Sequence, residues 1–223
     1  MVTKVYLIRH GETEDADARR YKGHLDVPLS GRGVEQIKQL TSYMVRNCSG
    51  LLNEARCGAN KEQDTLDAVY TSTLGRAIES AEIIARPFGL TPLVVEGLKE
   101  RNFGLWEGMT FDEIREKWPE AFTAWADNPV QFSPKEGEST LEVKERALKA
   151  FNGITQRHGG EAIAIISHGG IIRIILCELL GMPLENIFRI EQDFAALNVI
   201  ELWDYPVIKQ INYVVTGRLN EIP

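Results

Sequence analysis

Val5-Tyr6-Leu7-Ile8-Arg9-His10-Gly11-Glu12-Thr13 joins an apolar run to a cation, an imidazole and a glycine within nine residues. Val5 to Ile8 is an apolar run of the kind a strand buried on both faces uses, and it stops abruptly at Arg-His-Gly. An open parallel sheet places its ligands beyond the carboxyl ends of its strands, so a guanidinium and an imidazole stand here at an active-site address. Gly11 allows a sharp turn and a close backbone approach to a ligand. Taken alone, Arg9-His10 reads equally well as a solvated loop. The rest of the chain decides. Ala162-Ile163-Ala164-Ile165-Ile166-Ser167 is a second apolar run that ends in His168-Gly169-Gly170 and continues as the apolar helix Ile171 to Leu180. A third short strand, Ala68 to Tyr70, runs through Thr71-Ser72-Thr73-Leu74-Gly75 into a helix with Arg76 in its first turn. Two histidines and two arginines thus fall at strand-to-helix junctions, and the imidazoles meet only if their strands are neighbours.

The length of 223 residues fits one domain, 1–223, with a large core. A hydrophobic content of 43% and a charged content of 26% are those of a soluble globular protein. No apolar run approaches the roughly 20 residues of a membrane span, and Met1 to Lys4 leads into the first strand without a signal-peptide pattern. The expectation is a cytoplasmic protein with no membrane partner. Three cysteines, Cys48, Cys57 and Cys177, without a Cys-x-x-Cys, fit reduced thiols better than a disulfide framework. A net charge of -7 argues against nucleic acid, whose phosphate backbone requires a dense basic surface. An anionic small substrate needs a local arginine cluster instead.

Helical spacing predicts a helix from about Gly31 with Val34, Ile37, Thr41, Met44 and Val45 inward, and a second from about Leu74 to Phe88. Cys48 to Thr65 reads as a helix extension and a polar loop, either a surface insertion or a contact in a homodimer. Two capping boxes, Thr110 to Glu113 and Ser139 to Glu142, open helices, the second running to about His158 with Leu141, Leu148, Phe151 and Ile154 on one side. Trp106, Trp118 and Trp125 mark a small helical cap, about 104–137, packed on itself. Ala195 to Trp203 and Val207 to Val215 alternate as strands near a sheet edge. His24 reads as a surface loop histidine, His158 as a helix-terminal residue, and Glu107 and Arg173 as structural groups. Glu12 reads as an anchor for its loop. Four histidines with no His-x-His or His-Glu-x-x-His spacing supply no metal ligand set.

Phosphoryl transfer needs a nucleophile, positive charge around the equatorial oxygens and a proton for the departing alkoxide. His10 can be the nucleophile if one ring nitrogen keeps its proton on a fixed acceptor, such as a carbonyl at the Gly11 turn. Arg9 and Arg76 can grip a phosphate bidentately, and His168, at a helix N-terminus, can complete the anion site. The competing structural roles are an i,i+3 pair of Arg76 with Glu79 and a salt bridge of Glu100 with Arg101.

Arg-His-Gly-Glu-Thr at 9–13, Ser-x-Leu-x-Arg-Ala at 72–77, Glu100 in Leu-x-Glu-Arg-x-Phe-Gly-x-Trp-Glu-Gly and Ser-His-Gly-Gly at 167–170 occur in an order that resembles the histidine phosphatase, or phosphoglycerate mutase-like, superfamily. The resemblance runs from about residue 3 to about residue 202. It implies an α/β fold, three layers α/β/α around a mostly parallel sheet, and no cofactor. It also implies a phosphohistidine at His10 that water hydrolyses, Glu100 as proton donor, His168 in the catalytic and phosphate-binding set, and Arg20, Tyr21, Lys22 and Gly23 in the substrate pocket. The implied activity is that of a metal-independent phosphomonoesterase acting on a small-molecule phosphate monoester, with α-ribazole 5′-phosphate or a sugar phosphate as candidates. Mutase-type transfer and a non-catalytic phospho-ligand-binding protein are the alternatives. The chain departs from the family at Ala16, where an asparagine often touches the phosphate; Arg20 or a backbone N–H is the expected replacement. Glu120, Asp127 and Glu136, with Glu113 nearby, against Lys135 alone, predict an acidic rim that disfavours a bisphosphorylated ligand.

Overall fold

The computed structural model describes residues 1–18, 20–48 and 65–215. The inserted segment expected at 48–65 therefore lies outside the described residues except for its two ends. Among the described residues six strands form one sheet: β1 (Thr3–Arg9), β2 (Ala68–Thr71), β3 (Leu93–Val94), β4 (Ala162–Ser167), β5 (Leu197–Leu202) and β6 (Pro206–Tyr213). Their order is β3-β2-β4-β1-β5-β6. The pairs β3/β2, β2/β4 and β4/β1 are parallel, whereas β5 and β6 are antiparallel to their neighbours. This is the mostly parallel α/β sheet expected, with β6 at the edge and β5 one place inside it.

Helices cover both faces. Period-2 side-chain alternation sends Val5 and Leu7 of β1 and Ile163 and Ile165 of β4 to one side. There they pack on α5 (Thr140–Thr155) and α6 (Gly169–Leu179) through Val143, Ala147, Phe151, Ile172 and Ile175. Tyr6, Ile8, Ala164 and Ile166 face the other way, against Ile37, Leu40 and Met44 of α1 (Gly31–Cys48) and Ala77, Ala81 and Ile84 of α2 (Gly75–Ala85). A central strand covered on both faces must be apolar throughout, and every residue of β4 is buried.

Both capping boxes are made, by Thr110 with Glu113 at α3 (Phe111–Lys117) and by Ser139 with Glu142 at α5. Pro119 begins α4 (Pro119–Asp127), where a missing N–H costs nothing. Trp106, Phe111, Phe122, Trp125 and Phe132 form the aromatic cluster of the cap. Two local expectations fail in α5. It ends at Thr155, and Leu141 is exposed because the buried stripe runs through Val143, Ala147, Phe151 and Ile154. Leu141 stands in the same first turn as the buried Thr140 and Val143 but off their stripe. Among the described residues no helix is long and apolar enough to cross a membrane.

Candidate active site

Sheet register brings the two His-Gly motifs together. Arg9 of β1 pairs with Ser167 of β4, so the next residues, His10 and His168, leave adjacent parallel strands side by side, with ring centroids 5.0 Å apart. β2 lies on the other flank of β4, with Thr71 opposite Ile166, which carries Ser72 alongside His168. The Ser72 hydroxyl lies 2.7 Å from His168 Nε2 and also receives the Leu74 N–H at 3.4 Å. Its one acceptor within reach is that ring nitrogen, so it donates there and leaves the His168 proton on Nδ1. Nδ1 is buried and has no partner among the described residues.

His10 is fixed from the backbone outward. Its N–H donates to Ser167 O, its carbonyl receives the Ala195 N–H, and its Nδ1 donates to Gly11 O at 2.7 Å. A carbonyl only accepts, so Nδ1 holds the proton and Nε2 carries the free lone pair. Gly11 is required here: a Cβ would stand 2.4 Å from Gly33 O, where the turn packs on the first turn of α1. Burial, then the Arg9 and Arg76 cations, hold the His10 imidazole well below its ordinary value of 6.5, against the pull of the Gly11 carbonyl. Burial, then His10, Arg76 and Arg9, do the same to His168. Both rings are neutral at pH 7.

Arg9 is anchored by a bond from Nη1 to Gln192 O at 2.6 Å and by Phe194, whose ring centre lies 3.9 Å from the guanidinium carbon. Burial is the main cause that pulls Arg9 down to about 10, still a cation at neutral pH, with Glu100 opposing. Arg76, only 2% exposed, donates to Gly23 O and Leu25 O, not to Glu79. Glu100 receives the N–H groups of Arg101 at 2.8 Å and of Gly170 at 3.1 Å. The Arg101 guanidinium turns away to Glu138 O, Thr140 Oγ1 and Phe132 O, so the competing structural role of Glu100, a salt bridge with Arg101, is not what the structure shows.

A cavity of about 580 Å³ opens in front of these groups, lined by Arg9, His10, Arg76, Glu100 and all four expected pocket residues, Arg20, Tyr21, Lys22 and Gly23. His168 is fully buried and reaches this site through its contact with His10. Ala16 is in the wall, but Arg20 is bound to Glu113 at 2.6 Å and to Gly108 O, so it is committed elsewhere. Lys22, held by Thr13 Oγ1 and Glu14 O, is the loop cation whose field reaches His10, and burial followed by Arg76 lowers its own value.

Several expectations need correction. His24 is not a free surface residue: its Nε2 donates to Glu100 O at 2.8 Å and its N–H to Glu107 Oε1. Arg173 donates from Nε to Ile190 O, which is structural, yet it also lines the cavity. Of the carboxylates named for an acidic rim, none lines the cavity, whereas Arg9, Arg20, Lys22, Arg76 and Arg173 do. Glu120, Asp127 and Glu136 are exposed, and Glu113 is tied to the cavity wall through Arg20. Glu12 does anchor its loop, to Ser30 and Arg32, and Glu107 is structural, accepting from Phe103 N–H as well as His24. His158 bonds Tyr70 and Glu161 and so ties the end of α5 to β2.

Arg146, which the sequence does not single out, donates to the carbonyls of Gly97, Lys99 and Glu100 and forks onto Glu138. It fixes the loop that carries Glu100. Phe194 carried no signal either, because it stands in a loop apart from every motif. Among the described residues no group of three or more His, Cys, Asp or Glu side chains is arranged to hold a metal ion.

Comparison with known proteins points the same way. The model of the histidine phosphatase superfamily (branch 1) matches residues 5–49 and 47–213. Phosphoserine phosphatase 1 of Hydrogenobacter thermophilus is 30% identical over 221 residues, 99% of this chain and 96% of that protein. The adenosylcobalamin/alpha-ribazole phosphatase of Escherichia coli is 26% identical over 199 residues, 89% of this chain and 90% of that one. Among solved structures, Bacillus stearothermophilus YhfR superposes with a TM-score of 0.80 at 30% identity, covering 96% of this chain and 98% of that one. On motif order, sheet topology and these matches together, the chain belongs to the histidine phosphatase superfamily.

Proposed function

We propose that this protein is a metal-independent phosphomonoesterase that hydrolyses a small-molecule phosphate ester through phospho-His10. The observation that carries the reading is the 2.7 Å bond from His10 Nδ1 to Gly11 O, which leaves Nε2 unprotonated in a cavity bordered by Arg9 and the buried Arg76. Nε2 attacks phosphorus, the P–N bond forms as the P–O bond to the alcohol breaks, and the Glu100 carboxyl delivers its proton to the departing oxygen. Water then attacks phosphorus, giving a proton to the Glu100 carboxylate as the P–N bond breaks and His10 returns neutral. Arg9 and Arg76 neutralise the equatorial oxygens, with Lys22 standing where Ala16 offers nothing and the His168 Nδ1–H available to the same charge.

Because guanidinium groups supply this charge, activity is expected to survive EDTA. The relatives direct the choice of substrates, α-ribazole 5′-phosphate, sugar phosphates and O-phosphoserine first. Mutase-type transfer stays as the second reading because the cavity wall is cationic and does not repel a second phosphate. One experiment separates the two. Incubation with 3-phosphoglycerate and 2,3-bisphosphoglycerate, following isomerisation and phosphate release together, is expected to give release in excess. Acid-labile, alkali-stable label should appear on quenched wild type and be absent from His10→Ala; label of equal stoichiometry on both proteins overturns the intermediate.

A further inference from the structure

We infer that the alcohol half of the substrate is bound in a second, apolar cavity, and that the enzyme therefore selects phosphate esters whose alcohol carries a flat apolar group. The inference rests on the phosphatase reading. The cavity measures about 200 Å³ and is walled by Trp125 from the cap, Val143 and Ile174 from the helices under the sheet, and Ile187 and Phe188 from the 3-10 turn Leu184–Arg189. Glu100, Arg9 and Arg173 border both this cavity and the larger one. A space of about 150 Å³ lined by aliphatic and aromatic side chains is enough to hold benzene, so one ring, single or fused, fits.

Position follows from chemistry. A general acid must touch the leaving oxygen, so the first carbon of the alcohol lies against the Glu100 carboxyl. That carboxyl is held at the boundary of the two cavities by the Gly170 N–H, and a Cβ on Gly170 would stand 2.5 Å from its Oε1. An alcohol that leaves the phosphate past Glu100 enters the second cavity.

Of the polar or charged side chains that line this cavity, Arg9, Tyr21, Glu100 and Arg173 stand on the boundary it shares with the larger one, and the two that belong to it alone, Arg101 and Thr140, are already used. Arg101 spends Nε, Nη1 and Nη2 on Glu138 O, Thr140 Oγ1 and Phe132 O, and the Thr140 hydroxyl donates to Pro129 O. Beyond that boundary a charged or polyhydroxylated alcohol loses water without gaining a free partner, whereas an aromatic ring gains contact with Trp125, Ile187 and Phe188. Phe188 is 67% exposed, a large apolar side chain left in water at the wall of this cavity.

The test compares 2-phenylethyl phosphate with ethyl phosphate, whose alcohols have similar acidity and differ by the ring. With the native enzyme kcat/KM is expected to favour the phenylethyl ester by about tenfold or more, the range an apolar pocket gives. Phe188→Asp, at an exposed position, should shrink that ratio by raising KM for the phenylethyl ester, and Trp125→Ala should do the same. Equal kcat/KM for the two esters, or a ratio untouched by both substitutions, overturns the inference while leaving the phosphatase reading in place. No phosphate from either ester or from p-nitrophenyl phosphate overturns the phosphatase reading, and the inference with it.

Discussion

At the residue scale, the site works by committing one hydrogen bond of each imidazole to the fold. Gly11 O fixes the His10 proton on Nδ1, and Ser72 fixes the His168 proton on the nitrogen that has no partner among the described residues. Ser72→Ala should free His168 to change tautomer, moving its imidazole nitrogen NMR signals and lowering kcat about tenfold, the worth of one neutral hydrogen bond. Unchanged imidazole signals would show that Ser72 does not choose the tautomer. Glu100 is checked through the leaving group. A nitrophenolate departs without a proton and an alkoxide does not, so Glu100→Gln should cost an alkyl phosphate roughly 10²–10⁴-fold in kcat and p-nitrophenyl phosphate far less. Equal losses on both substrates remove Glu100 from the acid role. The placement of Arg9, His10, Arg76 and His168 was legible because each stands at a strand-to-helix junction, and Glu100 was singled out only by the motif that resembles the family's. Ser72 lay inside such a motif, but its partner is 96 positions away. Arg146 and His24 act on Glu100 across 46 and 76 positions, and spacing that long leaves no local pattern.

At the element scale, the turn after β1 is shaped by the first turn of α1, not by β1 alone. A Cβ on Gly33 would stand 1.9 Å from Glu12 O, and one on Gly11 would meet Gly33 O, so two glycines let the helix and the turn touch backbone to backbone. Gly31, two positions earlier, has open space around it. Gly33→Ala should therefore destabilise the protein by about 1–3 kcal/mol in urea unfolding and lower kcat as the turn shifts, the cost of overpacking. Gly31→Ala should be neutral or stabilise by about 0.4–1 kcal/mol through the unfolded chain. Matching midpoints and rates for the two variants would mean that the close approach does not shape the turn. Helix starts were readable in advance, since capping boxes are local chemistry. The end of α5 and the exposure of Leu141 were not, because they depend on where the helix meets the sheet. The acidic-rim expectation failed for the same reason: composition of a segment does not say which way its carboxylates turn.

At the scale of the whole molecule, the order β3-β2-β4-β1-β5-β6 assembles the site by placing β4 between β1 and β2, so that three strand ends meet. The apolar runs foretold strands, and the paired His-Gly ends made a shared site conditional on β1 and β4 being neighbours, which they are; the antiparallel β5 had no such marker. Assembling the site this way buries two imidazoles beside two guanidinium groups, and folding stability must respond to pH as a result. His10 and His168 lie well below 6.5 in the folded protein and near that value in the unfolded chain. Below pH 6.5 the unfolded chain therefore binds more protons than the native one. The contribution is complete above about pH 6.5 and is lost as pH falls, by up to about 1.4 kcal/mol per pH unit for each histidine. Glu113, Glu138 and Glu142, which lie below their ordinary 4.5, begin to lose their contribution only under that value, so the interval from pH 6.5 to 5 isolates the imidazoles. Urea unfolding in phosphate-free buffer should show stability falling across this interval, with a shallower slope in His10→Gln, which removes one of the two sites. Parallel slopes for wild type and variant would mean that the buried neutral His10 is not what makes the fold acid-sensitive.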